Sequence, residues 1–172
     1  MSGICTYNIL PCTDRSLLEV RRALPEDVMD ILRWRNDPHA RTMSRQQEQI
    51  DEAVHRSWYS QALNDSDRLL IVGMLMGQKV GIVRFDRRQS LLWEVNIALA
   101  PEARGYGLGR RLLKMALDCL QGAHVQAEIV AVAKLLNEPS LRLFESLGFA
   151  RESDDGKFVT LVLSSRPGRH CV

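Results

Sequence analysis

The fold is decided by residues 95–111, which read VNIALAPEARGYGLGRR. The segment opens as a strand with β-branched residues and ends at Pro101, where a glycine-rich turn begins. A long amphipathic helix, predicted from about Gly107 to Gln121, starts inside that turn. Its apolar residues recur at the three- and four-residue offsets that place them on one buried face.

The turn between this strand and this helix has the chemistry of a phosphate-binding site. Glycines alternate with larger residues across GYGLG, so backbone N–H groups can come close to a ligand. The first N–H groups of a helix lack intrahelical acceptors and lie at the positive end of its dipole. Three arginines add formal charge, namely Arg104, Arg110 and Arg111. The turn therefore predicts a phosphate or pyrophosphate seat, with an ordinary tight turn as the alternative.

Two other nucleotide-binding motifs do not match this turn. A Walker turn ends in Gly-Lys-Ser/Thr, whereas this one continues Gly-Arg-Arg. A dinucleotide fingerprint needs a third glycine three residues after Gly107, where Arg110 stands, and the strands upstream are not in βαβ units.

Periodicity along the rest of the chain predicts the element order βααβββαβαβ. Short gaps such as Gly77-Gln78-Lys79 require antiparallel neighbours, since parallel strands need long crossovers. We therefore expect an α+β fold with a mixed, mostly antiparallel sheet of six to seven strands and about four helices. The predicted strands are 17–24, 69–76, 80–86, 91–99, 125–134 and 158–163, and the other predicted helices are 25–34, 49–63 and 140–147.

Composition predicts one cytoplasmic domain. The 172 residues carry a net charge of +2, which gives no bulk attraction to nucleic acid or to an anionic membrane. No apolar run approaches the span of a bilayer, and the start has no secretory signal pattern. Residues 17–165 form the predicted domain, between a lead-in at 1–16 and a tail at 166–172.

Cys119 is expected to be a small buried hydrophobe, and no metal site is expected.

Two motifs in the second half of the chain resemble the GNAT superfamily of acyl-CoA N-acyltransferases. The first is Arg104-x-x-Gly107-x-Gly109, preceded at the proper distance by a strand. The second is the cassette NEPSLRLFESLGF at residues 137–149. The resemblance extends from about residue 17 to residue 163 and implies the GNAT fold with acetyl-CoA as co-substrate.

The resemblance also implies which positions hold the cofactor. Backbone groups of residues 97–99 would pair with the pantetheine arm, and N–H groups of residues 105–110 would hold the pyrophosphate. Asn137 would contact the cofactor, although it could equally cap the following helix. The implied cofactor-binding residues are Ile97, Ala98, Leu99, Arg104, Gly105, Tyr106, Gly107, Leu108, Gly109, Arg110, Asn137, Ser140 and Phe144.

Acetyl transfer needs a neutral amine, and alkyl amines carry a proton at neutral pH. Our candidate base is Glu94, a carboxylate in an otherwise apolar strand, which shares one strand face with Asn96 and Ala98. A salt-bridged structural role is the alternative. Many protein-acetylating relatives have a tyrosine acid where Phe144 stands, so the thiolate is expected to leave unprotonated unless Tyr59 folds over the site.

The acceptor is expected to be a small amine. Trp-Arg-Asn at residues 34–36 and Arg-Phe-Asp at residues 84–86 resemble the N-acetyltransferases of nucleotide-linked amino sugars, such as the UDP-linked sugar of the pseudaminic acid pathway. The candidate substrate-binding residues are Trp34, Arg35, Asn36 and Arg84. In the alternative, Trp34 belongs to the core and the arginines are solvated. Protein N-termini or other amines, or acetyl-CoA binding without catalysis, are the other functions considered, in a monomer or homodimer.

Overall fold

A computed structural model describes residues 17–164, so the predicted lead-in and tail lie outside the described residues. The strands are β1 (Leu18–Arg22), β2 (Arg68–Leu75), β3 (Gln78–Arg87), β4 (Leu92–Leu99), β5 (Glu128–Lys134), β6 (Ala150–Asp154) and β7 (Phe158–Leu163). The α-helices are α1 (Val28–Asn36), α2 (Pro38–Thr42), α3 (Glu52–Asn64), α4 (Leu108–Ala123) and α5 (Glu138–Glu145).

All seven strands form one sheet in the order β1-β2-β3-β4-β5-β7-β6. Every neighbouring pair is antiparallel except β4 and β5, which are parallel and joined through α4. The predicted fold class is confirmed, including its single strand–helix–strand crossover. The β2–β3 hairpin turns at Met76 and Gly77, which have φ of 51° and 79° as a two-residue turn with two positive φ angles requires.

Two short elements were missed from the sequence. Strand β6 is exposed at all five positions, so it carries no alternation of apolar and polar residues for a periodicity argument to detect. Helix α2 has only five residues and no buried position, and it depends on Asp37, whose carboxylate accepts a hydrogen bond from Ala40 N. Both elements exist because of local caps and neighbours rather than because of an apolar pattern.

Helix α4 covers one face of the sheet. Leu112, Leu113 and Leu120 are fully buried, and Leu112 packs against β2 and β3 where two glycines leave room for it. At Gly81 strand β4 also limits the space, since a Cβ there would lie 2.7 Å from Ala98 O. Cys119 is exposed, so its predicted burial was wrong; it lies beside the apolar stripe of α4 and not within it.

Helices α1 and α3 pack on the opposite face of the sheet from α4. A buried ion network fixes the start of α1: Arg21 donates to both oxygens of Asp27 at 2.7 and 2.8 Å, and Lys79 approaches the same carboxylate at 2.8 Å. Burial alone would raise the pKa of Asp27, but these cations outweigh it and hold that pKa at about 2.

Within residues 17–164, no helix is both long and apolar enough to cross a bilayer.

Gly81→Ala is expected to destabilise the protein by about 1–3 kcal/mol, because its Cβ would meet the backbone of β4, which cannot move aside cheaply. Gly122→Ala in α4 is the matched control. Its Cβ meets nothing within 4 Å, so it is expected to stabilise by at most about 1 kcal/mol. Urea unfolding of both variants measures the difference; equal stabilities would contradict the close contact between β3 and β4.

Candidate active site

The sheet opens between β4 and β5. Their ladder pairs Leu92–Val95 with Glu128–Ala131 and then stops, although β4 continues to Leu99 and β5 to Lys134. Beyond that point each strand keeps its outer neighbour, because β4 pairs with β3 up to Leu99 and β5 pairs with β7 up to Lys134. The last residues of β4 therefore present a strand edge in the middle of the sheet.

Backbone direction decides which groups of β4 face this opening. Ala100 N donates to Val80 O at 3.0 Å, and hydrogen-bonding direction alternates along a strand. Ala98 therefore points its N–H and C=O toward β3, whereas Ile97 and Leu99 point theirs into the opening. The predicted pantetheine contact of Ala98 is corrected on this ground, and Ile97 and Leu99 stay candidates.

The glycine-rich turn lies next to the opening and leaves a row of amides unsatisfied. Gly105 and Gly107 have φ of 82° and 73°, a region that other residues enter only with strain. Gly107 is the N-cap of α4 and has no side chain to cap it. Among the described residues, none accepts a hydrogen bond from the N–H groups of residues 105–109. The first turn of α4 carries arginines and no acidic residue, so only an external anion would complement its dipole.

Two of the three arginines of the turn already have partners, whereas Arg111 Nη1 is buried without an acceptor among the described residues. Arg104 Nη1 donates to Asp37 Oδ1 at 2.7 Å, and its Nη2 donates to Leu99 O at 3.3 Å. Burial raises the pKa of Asp37, but hydrogen bonds from Ala40 N and Arg104 bring it below its usual value. Arg110 donates to Ser146 Oγ and O, both at 3.2 Å. We therefore expect backbone N–H groups to supply most of the phosphate contacts. Arg104, which was predicted to add charge there, instead makes a bond that fixes the turn to the start of α2.

The second cassette forms α5, at the far side of the opening. Asn137 caps this helix, since its Oδ1 accepts from Ser140 N at 3.2 Å. Within residues 17–164 the Nδ2 of Asn137 has no acceptor, so the cap leaves a donor available for a ligand. Phe144 is 4% exposed and packs on Phe149 with ring centroids 5.2 Å apart. Phe144 therefore belongs to the core. The expectation that it contacts the cofactor is corrected, because its ring does not line the opening.

Glu94 lies on β4, on the face opposite α4, with only 6% of its surface exposed. Arg88 donates to its Oε2 through Nε at 3.0 Å and Nη2 at 2.8 Å. Arg45, from the segment that joins α2 to α3, forms an ion pair with Oε1. Both oxygens of the candidate base are therefore engaged by guanidinium groups.

The predicted acceptor residues of α1 have other partners. Trp34 is 1% exposed, so its ring cannot stack on a ligand and it belongs to the core. The Asn36 amide makes two bonds of 2.8 Å with the N–H and C=O of Ile50. Arg35 donates to Ser44 Oγ at 2.6 Å and to Gln46 O at 3.1 Å. Trp34 and Asn36 are corrected as substrate contacts; Arg35 and Asn36 instead hold residues 44–50 against α1.

Arg84 is the candidate that the structure leaves available. It lies on β3 beside the half-buried Trp58 of α3, with its guanidinium 5.4 Å from the ring centroid. The Nε of Arg84 lies 2.8 Å from Asp86 Oδ2 as an ion pair, but its N–H is not directed at that oxygen. Burial lowers the pKa of Arg84, and Asp86 acts in the opposite direction. Burial and the charge of Arg84 likewise lower the pKa of Arg35.

Tyr59 is not positioned as a general acid. Tyr59 is 2% exposed, its hydroxyl donates to Leu24 O at 2.8 Å, and burial raises its pKa further from neutrality. It belongs to the Asp27 end of the core and does not cover the opening. The part of the chain between residues 17 and 164 also contains no group of histidine, cysteine and acidic side chains able to hold a metal ion.

Comparison with known proteins assigns this arrangement to a family. Residues 18–150 match the model of the acetyltransferase (GNAT) domain. A curated relative, the N-alpha-acetyltransferase RimI of Mycobacterium tuberculosis, is 38% identical over 80 residues. That match covers 46% of this chain and 48% of the relative, so the chain spans about half the length of the curated protein it matches.

Two solved structures have the same fold. The spermidine N-acetyltransferase of Vibrio cholerae, in complex with CoA and spermine, has a TM-score of 0.79 at 19% identity over 87% of this chain and 96% of that one. The putative acetyltransferase yncA of Salmonella typhimurium, with its cofactor acetyl-CoA, has a TM-score of 0.74 at 21% identity over 90% and 98%.

The fold agrees with these comparisons, and the unsatisfied amides lie beside the strand opening. The chain belongs to the GNAT family of acetyltransferases, and acetyl-CoA fits the site as co-substrate, because the β4 edge and the turn offer donors that a pantetheine arm and a diphosphate can use.

Gly105→Ala is expected to weaken CoA binding by about ten-fold, because it strains the turn and puts a methyl group among the donors. Gly156→Ala is a close control: both glycines have φ of 82° and both Cβ positions are free of neighbours within 4 Å, but Gly156 lies in the β6–β7 turn. Calorimetry with CoA compares the two variants. Equal affinities would show that the turn does not hold the cofactor.

Proposed function

We propose that this protein transfers the acetyl group of acetyl-CoA directly to a primary amine in a ternary complex. One observation carries the proposal: the free edge of β4 and the unsatisfied amides of residues 105–109 are adjacent. Pantetheine can pair with the edge as an added strand while its diphosphate accepts from the turn, which brings the thioester to the opening.

In the proposed reaction the amine nitrogen attacks the thioester carbonyl carbon. A C–N bond forms, the C–S bond breaks, and CoA leaves as its thiolate while the amine loses a proton. The N–H of Ile97 faces the opening and is the candidate donor to the developing oxyanion. The thiolate can leave without an acid, because thiols are already acidic enough to be partly ionised near neutral pH.

Glu94 remains our candidate for the base that takes the amine proton. It is a buried carboxylate on the face of β4 that α1 and α3 cover, three residues before Ile97, so a water can connect it with the amine. Because both oxygens are ion-paired, the Arg45 contact has to open first. Arg45 is half exposed on the segment that follows α2, where an incoming acceptor can displace it.

We further propose that the acceptor carries negative charge, as a nucleotide-linked amino sugar does. Around Glu94 and Arg84, five arginines face three carboxylates, an excess of two positive charges: Arg35, Arg45, Arg68, Arg84 and Arg88 against Asp65, Asp86 and Glu94. Such a surface attracts a phosphate and repels a polyamine. The Trp58 ring is half-buried and lies against the Arg84 guanidinium. Its remaining accessible surface is the candidate for contact with a sugar or base.

A protein N-terminus is the second candidate acceptor, favoured by the partial match to RimI. A thiol-release assay with acetyl-CoA tests the alternatives, using UDP-linked amino sugars, peptides with free N-termini, and spermidine. We expect turnover with an anionic amine and none with spermidine. CoA binding without turnover on any acceptor would instead support a binding module.

Glu94→Gln is expected to lower kcat at pH 7 by about ten-fold or more and to remove the acidic limb of the pH–rate profile, because the base is lost. Arg88→Gln is the comparison, since it loosens the same ion cluster but keeps the carboxylate. It should retain the acidic limb. Equal losses in both variants with an unchanged pH profile would assign Glu94 a purely structural role.

A further inference from the structure

We propose that Arg84 and Asn96 together bind an oxyanion of the acceptor, a carboxylate or a phosphate, next to the point of acetyl transfer. The inference rests on the proposed function and deepens it, because it names the group that the acceptor must carry besides its amine. It also assigns a role to Asn96, which the sequence placed on the same strand face as Glu94 without a predicted function.

The two residues are direct neighbours across the β3–β4 ladder, where Arg84 pairs with Asn96. Cross-strand partners have their Cβ atoms about 5 Å apart on one face, so both side chains reach the same volume. Asn96 is followed at once by Ile97, whose N–H faces the opening. A group held by this pair would therefore lie within a few ångströms of the thioester.

Both side chains carry donors that the protein leaves without acceptors. Asn96 Nδ2 is buried and unpartnered within the described residues, and so is Arg84 Nε. Asp86 Oδ2 lies 2.8 Å from Arg84 Nε, yet the N–H does not point at it, so the contact is an ion pair without a hydrogen bond. A buried donor without an acceptor destabilises the folded protein, and an added acceptor would remove that cost.

The charge of Arg84 is also only partly balanced. Asp86 is shared with Arg68, whose Nε is 3.4 Å from its Oδ1. Trp58 packs against both guanidinium groups, at 5.8 Å for Arg68 and 5.4 Å for Arg84, which keeps them side by side. Arg68 also pairs with Asp65 Oδ2 at 3.4 Å, so Asp86 is the carboxylate that the two guanidinium groups share and the only one paired with Arg84 among the described residues.

The buried ion pair at Arg21 shows what a completed arginine site looks like in this chain. Arg21 gives two short, directed hydrogen bonds to both oxygens of Asp27. Arg84 has the same kind of carboxylate nearby but gives it none. The difference is expected if the donors of Arg84 serve a ligand and not the fold.

The test measures oxyanion binding in the presence of saturating CoA, so that the turn at residues 105–109 is occupied. The probes are inorganic phosphate and acetate, each titrated against chloride at constant ionic strength by thermal shift and calorimetry. Binding of phosphate alone points to a phosphate-bearing acceptor, and binding of acetate points to a carboxylate. Either supports the proposal if the variants below lose it.

Asn96→Asp is the most informative variant, because its carboxylate would occupy the site from within. It should raise Tm without added anion, as Arg84 gains a partner, and weaken anion binding by about ten-fold or more. Arg84→Gln should weaken anion binding equally without that gain in Tm. Arg151→Gln removes one exposed positive charge on β6, away from the opening, and should bind the anion as the wild type does.

Two results would overturn the proposal: no response to either anion in the wild type, or an equal response in wild type, Asn96→Asp and Arg84→Gln. Calorimetry with CoA alone separates this from the proposed function. Absence of CoA binding to the wild type refutes the acetyltransferase proposal, whereas normal CoA binding with no anion response refutes only the oxyanion site.

Discussion

The separation of β4 from β5 is a local loss of hydrogen bonds that the rest of the sheet makes possible. Each strand keeps a complete ladder on its outer side, to β3 and to β7 respectively, so the inner ladder can stop at Val95 without unravelling either strand. Leu99 O already accepts a hydrogen bond from Arg104 Nη2. The N–H of Leu99 and the N–H and C=O of Ile97 are left facing the opening, and they are costly unless something pairs with them. A ligand with an extended amide chain would meet that need, and the pantetheine arm of acetyl-CoA is such a chain.

The same opening brings a helix N-terminus to the cofactor. Helix α4 is fixed by leucines buried against β2 and β3, and the close contact between Gly81 and β4 keeps the strand edge and the helix in register. Arg104 then connects the turn to Asp37 at the start of α2. Through this ion pair, the segment that holds the phosphate and the segment that borders the acceptor are positioned by one contact.

In the proposed reaction, cofactor and acceptor are recognised by different parts of the chain. The cofactor side uses backbone amides, which nearly any sequence can supply once the fold is formed, and this fits solved structures that share the fold at 19–21% identity. The acceptor side uses side chains. Its excess of arginine and its unpaired donors at Arg84 and Asn96 belong to this sequence in particular, so they carry the information about what it acetylates.

The sequence alone determined the fold class, the parallel crossover through α4 and the position of the glycine-rich turn, whose binding of phosphate stays a prediction. These depend on local patterns: the period of the leucines in α4, the short gaps between strands, and glycines where φ must be positive. It could not detect β6 and α2, which have no apolar face.

The sequence also could not tell which of several neighbouring candidate residues are free to bind a ligand. Trp34, Arg35, Asn36 and Arg84 look alike as candidates in the sequence, yet packing buries the first and backbone carbonyls or hydroxyls engage the next two. Only the tertiary structure decides this, because hydrogen-bond partners such as Ser44, Ile50 and Leu99 come from segments whose approach no local pattern records.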